Sequence, residues 1–217
     1  MYLEEWKSFI AITASVSTIL QFLSGTLICQ KYVQKGSTGD TSGFPFVCGF
    51  LSCSLWLRYG FLIHENSIIL VNTIGSTLHL AYVVTFYAYS IKKSTIMRQF
   101  GMILLILVCA IIYSQYEMDM EQAKAHMGVL CCLVTIMFFA APLASLMHVM
   151  KVKSAESLPF PIILSTFIVS LLWFLYGIII NDKFVQVPNF LGCILCGFQL
   201  SLFVYYPRTP PSPSYTA

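Results

Sequence analysis

The chain contains 217 residues, of which 58% are hydrophobic and only 10% are charged, with a mean hydropathy of +0.80 and a net charge of +3. These values exclude a water-soluble globular protein, because too few polar side chains are present to cover its surface. They predict a membrane protein whose main partner is the lipid bilayer, and no nucleic-acid partner is expected.

Seven apolar runs follow one another along the chain, each long enough to span a membrane. An α-helix rises about 1.5 Å per residue, so crossing roughly 30 Å of hydrocarbon requires about 20 apolar residues. The alternation typical of barrel strands is absent, so the predicted class is an all-α integral membrane protein. The predicted spans are residues 8–29, 44–63, 67–90, 98–115, 127–149, 160–180 and 184–206.

The charged residues between the spans predict the orientation of the chain, because Lys and Arg near helix ends favour the cytoplasmic side. The N-terminus and links two, four and six are mainly acidic, whereas links one, three and five and the tail are basic. The basic residues are Lys31, Lys35, Lys92, Lys93, Arg98, Lys151, Lys153 and Arg208. We therefore predict that the N-terminus lies outside and the C-terminus in the cytosol.

A six-residue stretch occurs twice, as LWLRYG at 55–60 and as LWFLYG at 172–177, so that the second copy is offset from the first by 117 positions. The same spacing joins further pairs without a gap. These pairs are Asn72 with Asn189, Gly75 with Gly192, Thr18 with Thr135, Phe22 with Phe139, and Phe86 with Phe203. Spans one to three therefore match spans five to seven, and span four has no counterpart.

The unpaired fourth span has a geometric consequence. Three spans begin on one side of the membrane and end on the other, so span four returns the chain to the starting side. Both units then have the same orientation, and transporters built from such parallel repeats bind substrate at the repeat interface. We predict a first three-helix bundle at 1–91, a linker with span four at 92–125, a second bundle at 126–207 and a disordered cytosolic tail at 208–217.

Several short motifs, spread over all seven spans, carry a resemblance to a known family. They are KGST at 35–38, Pro45, WLRYG at 56–60, VNTIG at 71–75, APL at 141–143, KVKSAESLPF at 151–160, WFLYG at 173–177 and PNFLGCILCGFQL at 188–200. The chain resembles the SWEET sugar transporters of the animal type, the group that includes the saliva proteins. SWEET transporters are themselves an established example of parallel repeats.

The resemblance implies two three-helix bundles, an inversion linker and a central sugar pocket. The pocket of the family combines Asn in the third and seventh helices with Trp in the sixth, and the second helix of this chain carries a matching Trp. The corresponding residues are Asn72, Asn189, Trp173 and Trp56. The family also has four helix-kinking prolines near the cytoplasmic gate, one of them replaced here by glycine. Their counterparts are Gly25, Pro45, Pro142 and Pro159.

The implied pocket residues suit a sugar chemically. A pyranose has an apolar face that packs on an indole, and hydroxyls that both donate and accept, as an Asn amide does. Two Trp faces leave limited room, which favours a monosaccharide such as glucose. The same residue types have other uses, because Trp often anchors at the membrane interface and Asn often joins helices. The symmetric Asn pair, beside Gly75 and Gly192, favours a pocket.

Other classes of protein are less consistent with the sequence. The sequence contains neither an HExxH motif nor a Ser/His/Asp set, so an enzyme is not predicted and no cofactor is expected. Cys193 and Cys196 form CxxC, but no His or carboxylate is nearby to complete a metal site. The cysteines are therefore expected to act as small buried apolar residues. The nearest alternative is a proton-coupled amino-acid carrier of the related PQ-loop group, whose Pro-Gln signature is absent here. A seven-helix membrane protein without transport activity is the other alternative.

The sequence therefore predicts a facilitative sugar carrier that works by alternating access. The predicted spans contain no acidic residue, and His79 is expected to be a packed hydrogen-bonding residue, so transport should need no ion gradient. The plasma membrane is favoured over the Golgi or other endomembranes. The sequence leaves open whether the chain forms a homo-oligomer.

Overall fold

The computed structural model describes residues 5–206, which contain eight α-helices and no β-strand. The helices are α1 Lys7–Lys35, α2 Phe44–Ile63, α3 Asn66–Tyr89, α4 Lys93–Tyr116, α5 Met120–Met137, α6 Ala140–Val152, α7 Phe160–Ile179 and α8 Lys183–Tyr205. Seven segments are long and apolar enough to cross a membrane, with α5 and α6 together forming the fifth. The predicted all-α fold with seven spans is confirmed. The tail predicted at 208–217 lies outside the described residues.

Three helices extend well beyond the predicted spans, and one of them, α5, begins at Met120, seven residues before the predicted start at 127. Helix α1 continues to Lys35, six residues past the predicted end, and α4 begins at Lys93, five residues before the predicted start. The prediction counted apolar residues and therefore stopped near the first charge. A helix can continue into the headgroup region, because long cationic side chains reach water from there.

The fifth span is broken, whereas the sequence predicted one continuous run over 127–149. Helix α5 ends at Met137 and α6 begins at Ala140. Between them, Phe138 N–H donates to Thr135 O at 3.1 Å and Phe139 N–H donates to Ile136 O at 2.9 Å, so the chain turns more tightly than an α-helix. Pro142 contributes to the break, because it has no N–H to donate to the carbonyl four residues earlier.

The backbone repeats with the same spacing as the sequence. Gly36, after α1, has a φ of +65°, and Lys153, after α6, has a φ of +56°. His64, after α2, has a φ of +58°, and Asn181, after α7, has a φ of +52°. Both pairs are 117 residues apart, and each member ends a helix in the left-handed conformation common at C-terminal caps. The predicted repeat is therefore confirmed in the backbone, even where the residue types differ.

The chain divides into two compact units. The N-terminal unit is Ala11–Val134, and the C-terminal unit contains the described residues from Thr135 onward together with the start of α1 up to Ile10. In the N-terminal unit, α2 packs along α3 and also contacts α4. Arg58 holds α4 by donating from Nε to Ser114 Oγ at 2.8 Å and from Nη2 to Ser114 O at 3.0 Å. In the C-terminal unit, α7 packs along α8.

Candidate functional site

Each unit contains a Trp packed edge-on against a Tyr of the same helix. The ring centroids of Trp56 and Tyr59 are 5.6 Å apart at an interplanar angle of 88°. Those of Trp173 and Tyr176 are 5.5 Å apart at 89°. Both Tyr rings are fully buried, Trp173 is buried and Trp56 is half-buried. The buried Tyr therefore holds each indole in the same orientation within its unit.

The two predicted Asn residues also have matching geometry. Asn72 Nδ2 donates to Ile68 O at 2.8 Å, and Asn189 Nδ2 donates to Val185 O at 2.8 Å. Both side chains are half-buried. An amide has two N–H donors and an oxygen acceptor, so after this bond each side chain retains one N–H and the oxygen for another partner. Each Asn can thus both donate to and accept from a hydroxyl group.

A glycine one turn after each Asn allows the helices to approach closely. A Cβ added to Gly75 of α3 would lie 2.6 Å from the ring of Phe22 and 2.7 Å from Cys53 Sγ. A Cβ added to Gly192 of α8 would lie 2.8 Å from Ser170 Oγ. Any other residue at these two positions would require the neighbouring side chains, or the helices that carry them, to move.

The sequence did not single out Cys53 and Ser170, although they are 117 residues apart. They were missed because the matching used identical residues, and these two differ in type. The spacing of 117 would have found them if small residues of different type had also been paired. Each lies against the matched glycine of its own unit.

These contacts place Trp and Asn at the same level in each unit. Helices α2 and α3 run antiparallel, because only two residues join them. Trp56 is three residues after Cys53, and Asn72 is three residues before Gly75, so both lie about one turn nearer to the α2–α3 connection. The same counting from Ser170 and Gly192 places Trp173 level with Asn189. The two predicted site residues of each unit therefore lie at the same level on adjacent helices.

His79 is bound to the main chain of its own helix. Its Nδ1 atom lies 2.8 Å from Gly75 O, and since a carbonyl oxygen only accepts, Nδ1 carries the proton. The opposite edge of the ring packs against Gly49 of α2, where an added Cβ would overlap Nε2. The ring is also edge-on to Phe22, with centroids 5.3 Å apart. Both nitrogens therefore face protein atoms in this packed arrangement.

The cysteines of the CxxC motif are free thiols in α8. Cys196 belongs to the buried core of the C-terminal unit, and Cys193 is half-buried. Among residues 5–206, no group of three His, Cys, Asp or Glu side chains is arranged to hold a metal ion.

The four predicted hinge residues fall into two groups. Pro45 lies in the first turn of α2, and Pro159 is the N-terminal cap residue of α7. Proline is tolerated at helix starts because the first N–H groups have no partner within the helix, so these two begin helices without kinking them. Pro142 follows the break between α5 and α6, and Gly25 lies within the unbroken α1. Of the four, these two lie where a spanning helix can bend.

Comparison with known proteins identifies relatives along nearly the whole chain. A family model described as "Sugar efflux transporter for intercellular exchange" matches residues 8–94 and 125–210. A protein of Drosophila pseudoobscura pseudoobscura named sugar transporter SWEET1 is 54% identical over 200 residues, covering 91% of this chain and 88% of the relative. An Arabidopsis thaliana protein named bidirectional sugar transporter SWEET2 is 31% identical over 208 residues, covering 93% of this chain and 88% of the relative.

A solved structure is similar to the whole chain. It is the 3.7 Å structure of a eukaryotic SWEET transporter, with a TM-score of 0.84 at 29% sequence identity. The match covers 95% of this chain and 99% of that one. The similarity therefore extends over both repeats and the helix between them.

The family match also reproduces the repeat. Its two segments begin 117 residues apart, and the unmatched residues between them, 95–124, contain nearly all of α4. Two matched segments around an unmatched helix are the arrangement that the spacing of identical residues predicts. The relatives are transporters and not enzymes. The chain belongs to the SWEET family of sugar transporters.

Proposed function

We propose that this chain is a facilitative carrier of a monosaccharide such as glucose. One observation carries the proposal: the same Trp, Tyr and Asn geometry occurs once in each unit. The indole can pack on the apolar face of a sugar, and the amide can bond to its hydroxyls. The relatives named as sugar transporters, one of them as bidirectional, support the same assignment.

The proposed contacts favour weak and reversible binding. Neither Trp nor Asn carries a charge, so no strong ion pair holds the ligand. A dissociation constant of 1 mM corresponds to only about 4 kcal/mol, which a few neutral contacts can supply. Weak binding suits a carrier that must release its substrate on the other side of the membrane.

The distribution of acidic residues supports transport without ion coupling. Within the described helices, the only acidic residue is Glu121, which is exposed in the first turn of α5. Proton-driven carriers commonly hold an acidic residue inside a span. We therefore assign this chain a flux that follows the sugar gradient in either direction.

We assign the transport movement to the two three-helix bundles at 1–91 and 126–207, with 92–125 as their linker. Alternating access of the bundles would expose bound sugar to one side at a time. We also propose the plasma membrane as the location, with the N-terminus outside.

The proposed activity is tested by uptake of labelled glucose in cells that lack their own hexose carriers. Expression of the chain should give saturable uptake that unlabelled glucose inhibits. A panel of labelled sugars, with sucrose as the disaccharide, tests the choice of substrate. Absence of uptake for every sugar, with protein present at the cell surface, would show the proposed function to be wrong.

The proposed orientation predicts where epitope tags are accessible. A tag before α1 should bind antibody on intact cells, and a tag after α8 should bind only after permeabilisation. The physical reason is the excess of Lys and Arg on the links that we place in the cytosol. Detection of both tags on the same side would contradict an odd number of spans.

A further inference from the structure

Each unit has a buried side chain, on α3 in one and on α8 in the other, whose polar end contacts the main chain close to Gly25 of α1 or at Pro142 of α6. In the N-terminal unit, Tyr82 Oη donates to Phe22 O at 3.0 Å. In the C-terminal unit, Gln199 Nε2 donates to Pro142 O at 3.3 Å. Tyr82 is 5% exposed and Gln199 is 4% exposed. The two donor residues are 117 apart, and their acceptors lie three residues before Gly25 in one unit and at the matching Pro142 in the other.

The ring of Tyr82 also explains the glycine in α1. A Cβ added to Gly25 would overlap Cε2 of this ring, so alanine or proline fits at that position only if the ring moves. The hydroxyl of Tyr82 additionally lies 2.9 Å from Thr26 Oγ1. At the matched positions of the C-terminal unit, proline stands at 142 and the slimmer Gln199 faces it. Gly25 with Tyr82 and Pro142 with Gln199 are therefore two complementary pairs of residues at the same two positions of the repeat.

Bending a helix lengthens main-chain hydrogen bonds, and a carbonyl that loses its partner in hydrocarbon finds no water to replace it. A side-chain donor aimed at a carbonyl of the bending turn offsets this loss during the movement. Tyr82 and Gln199 are placed to act in this way, each within its own unit.

We propose that Tyr82 and Gln199 are positioning residues that supply hydrogen-bond donors to the bending turns at Gly25 and Pro142, and so increase the rate of the transport movement. They act through the main chain and not through contact with the sugar. The proposal rests on the proposed function, because it concerns the rate at which the carrier changes conformation.

Removing only the donor should slow transport without weakening sugar binding. We expect Tyr82→Phe and Gln199→Met each to lower the maximal uptake rate roughly fivefold, the effect of one lost hydrogen bond. The sugar concentration at half-maximal rate should stay within about twofold of the wild-type value, since neither side chain is placed against sugar. Tyr87→Phe is the matched control, because Tyr87 is an exposed residue of the same helix α3. It should leave both values unchanged.

Exchanging one pair for the other tests the geometry directly. Gly25→Pro should reduce uptake at least tenfold, because the ring of Tyr82 fills the space that the new residue needs. Tyr82→Gln alone should also reduce uptake, because it removes the ring packed on Gly25. The double variant reproduces the pair at Pro142 and Gln199, so it should transport at least fivefold faster than Gly25→Pro alone.

The outcomes separate this proposal from the proposed function. Wild-type rates in both Tyr82→Phe and Gln199→Met would overturn the role of the donors, even with clear uptake by the wild type. A change in the sugar concentration at half-maximal rate, with the maximal uptake rate unchanged, would also overturn it. A double variant no faster than Gly25→Pro would refute the pairing. Absence of uptake by the wild type, at normal surface level, would instead overturn the proposed function and this inference with it.

Discussion

Sugar uptake should fall at least fivefold when Asn72 or Asn189 is replaced by alanine, although both variants reach the membrane. Each amide uses one N–H within its own helix and retains an N–H and an oxygen for the sugar. Losing such hydrogen bonds at a desolvated site costs about 1–3 kcal/mol, which corresponds to roughly 5- to 150-fold in rate. Because the two residues have the same geometry, we expect losses of similar size.

Thr73 provides a matched control for this prediction. It follows Asn72 on α3 and makes the same kind of bond, from Oγ1 to Ile69 O at 2.8 Å, but its side chain is exposed. Thr73→Val should therefore keep normal uptake. If Thr73→Val lost as much uptake, the effect would be due to a disturbance of helix α3 and not to a lost contact with sugar. Normal flux in either alanine variant would remove that Asn from the site.

Replacement of Trp173 by alanine should reduce uptake more than tenfold. The indole of Trp173 is 9% exposed and is fixed edge-on by Tyr176, so alanine removes both the proposed sugar platform and a buried ring contact. Trp173→Phe keeps an aromatic face and should retain intermediate uptake. Trp56→Ala should also lower uptake, because Trp56 occupies the matched position in the N-terminal unit.

The third tryptophan of the chain separates a specific role from a general one. Trp6 is 55% exposed, which is typical of an interfacial anchor. Trp6→Ala should leave uptake per surface molecule unchanged. Thermal unfolding of purified Trp173→Phe should show a folded protein, so that loss of uptake reports on the site. Full uptake in Trp173→Ala would exclude this residue from sugar contact.

The spans and the repeat could be predicted because they depend on simple features of the sequence. Apolar length gives the number of spans, and identical residues such as Asn72 and Asn189 give the spacing. The extension of α1 to Lys35 could not be predicted in this way, since an apolar count ends where charge begins. The helix continues because main-chain hydrogen bonding does not depend on the hydropathy of the side chains.

The details of the bends depend on tertiary contacts that the sequence does not display. Pro142 predicts a disturbance in the fifth span, but the break at Phe138 and Phe139 is set by bonds to Thr135 and Ile136. In the sequence, Gly25 stands only as the residue that replaces one of the family's four helix-kinking prolines. Only the structure shows that the ring of Tyr82, 57 residues later, occupies the space beside it.

The central proposal is most directly tested with the purified protein in lipid vesicles. Vesicles loaded with unlabelled glucose are diluted into a trace of labelled glucose, with and without an imposed pH difference. We expect rapid counterflow of label that is independent of the pH step, and no accumulation above equilibrium when the sugar concentrations are equal on both sides. Uphill accumulation that a protonophore abolishes would contradict facilitative transport and favour the proton-coupled alternative.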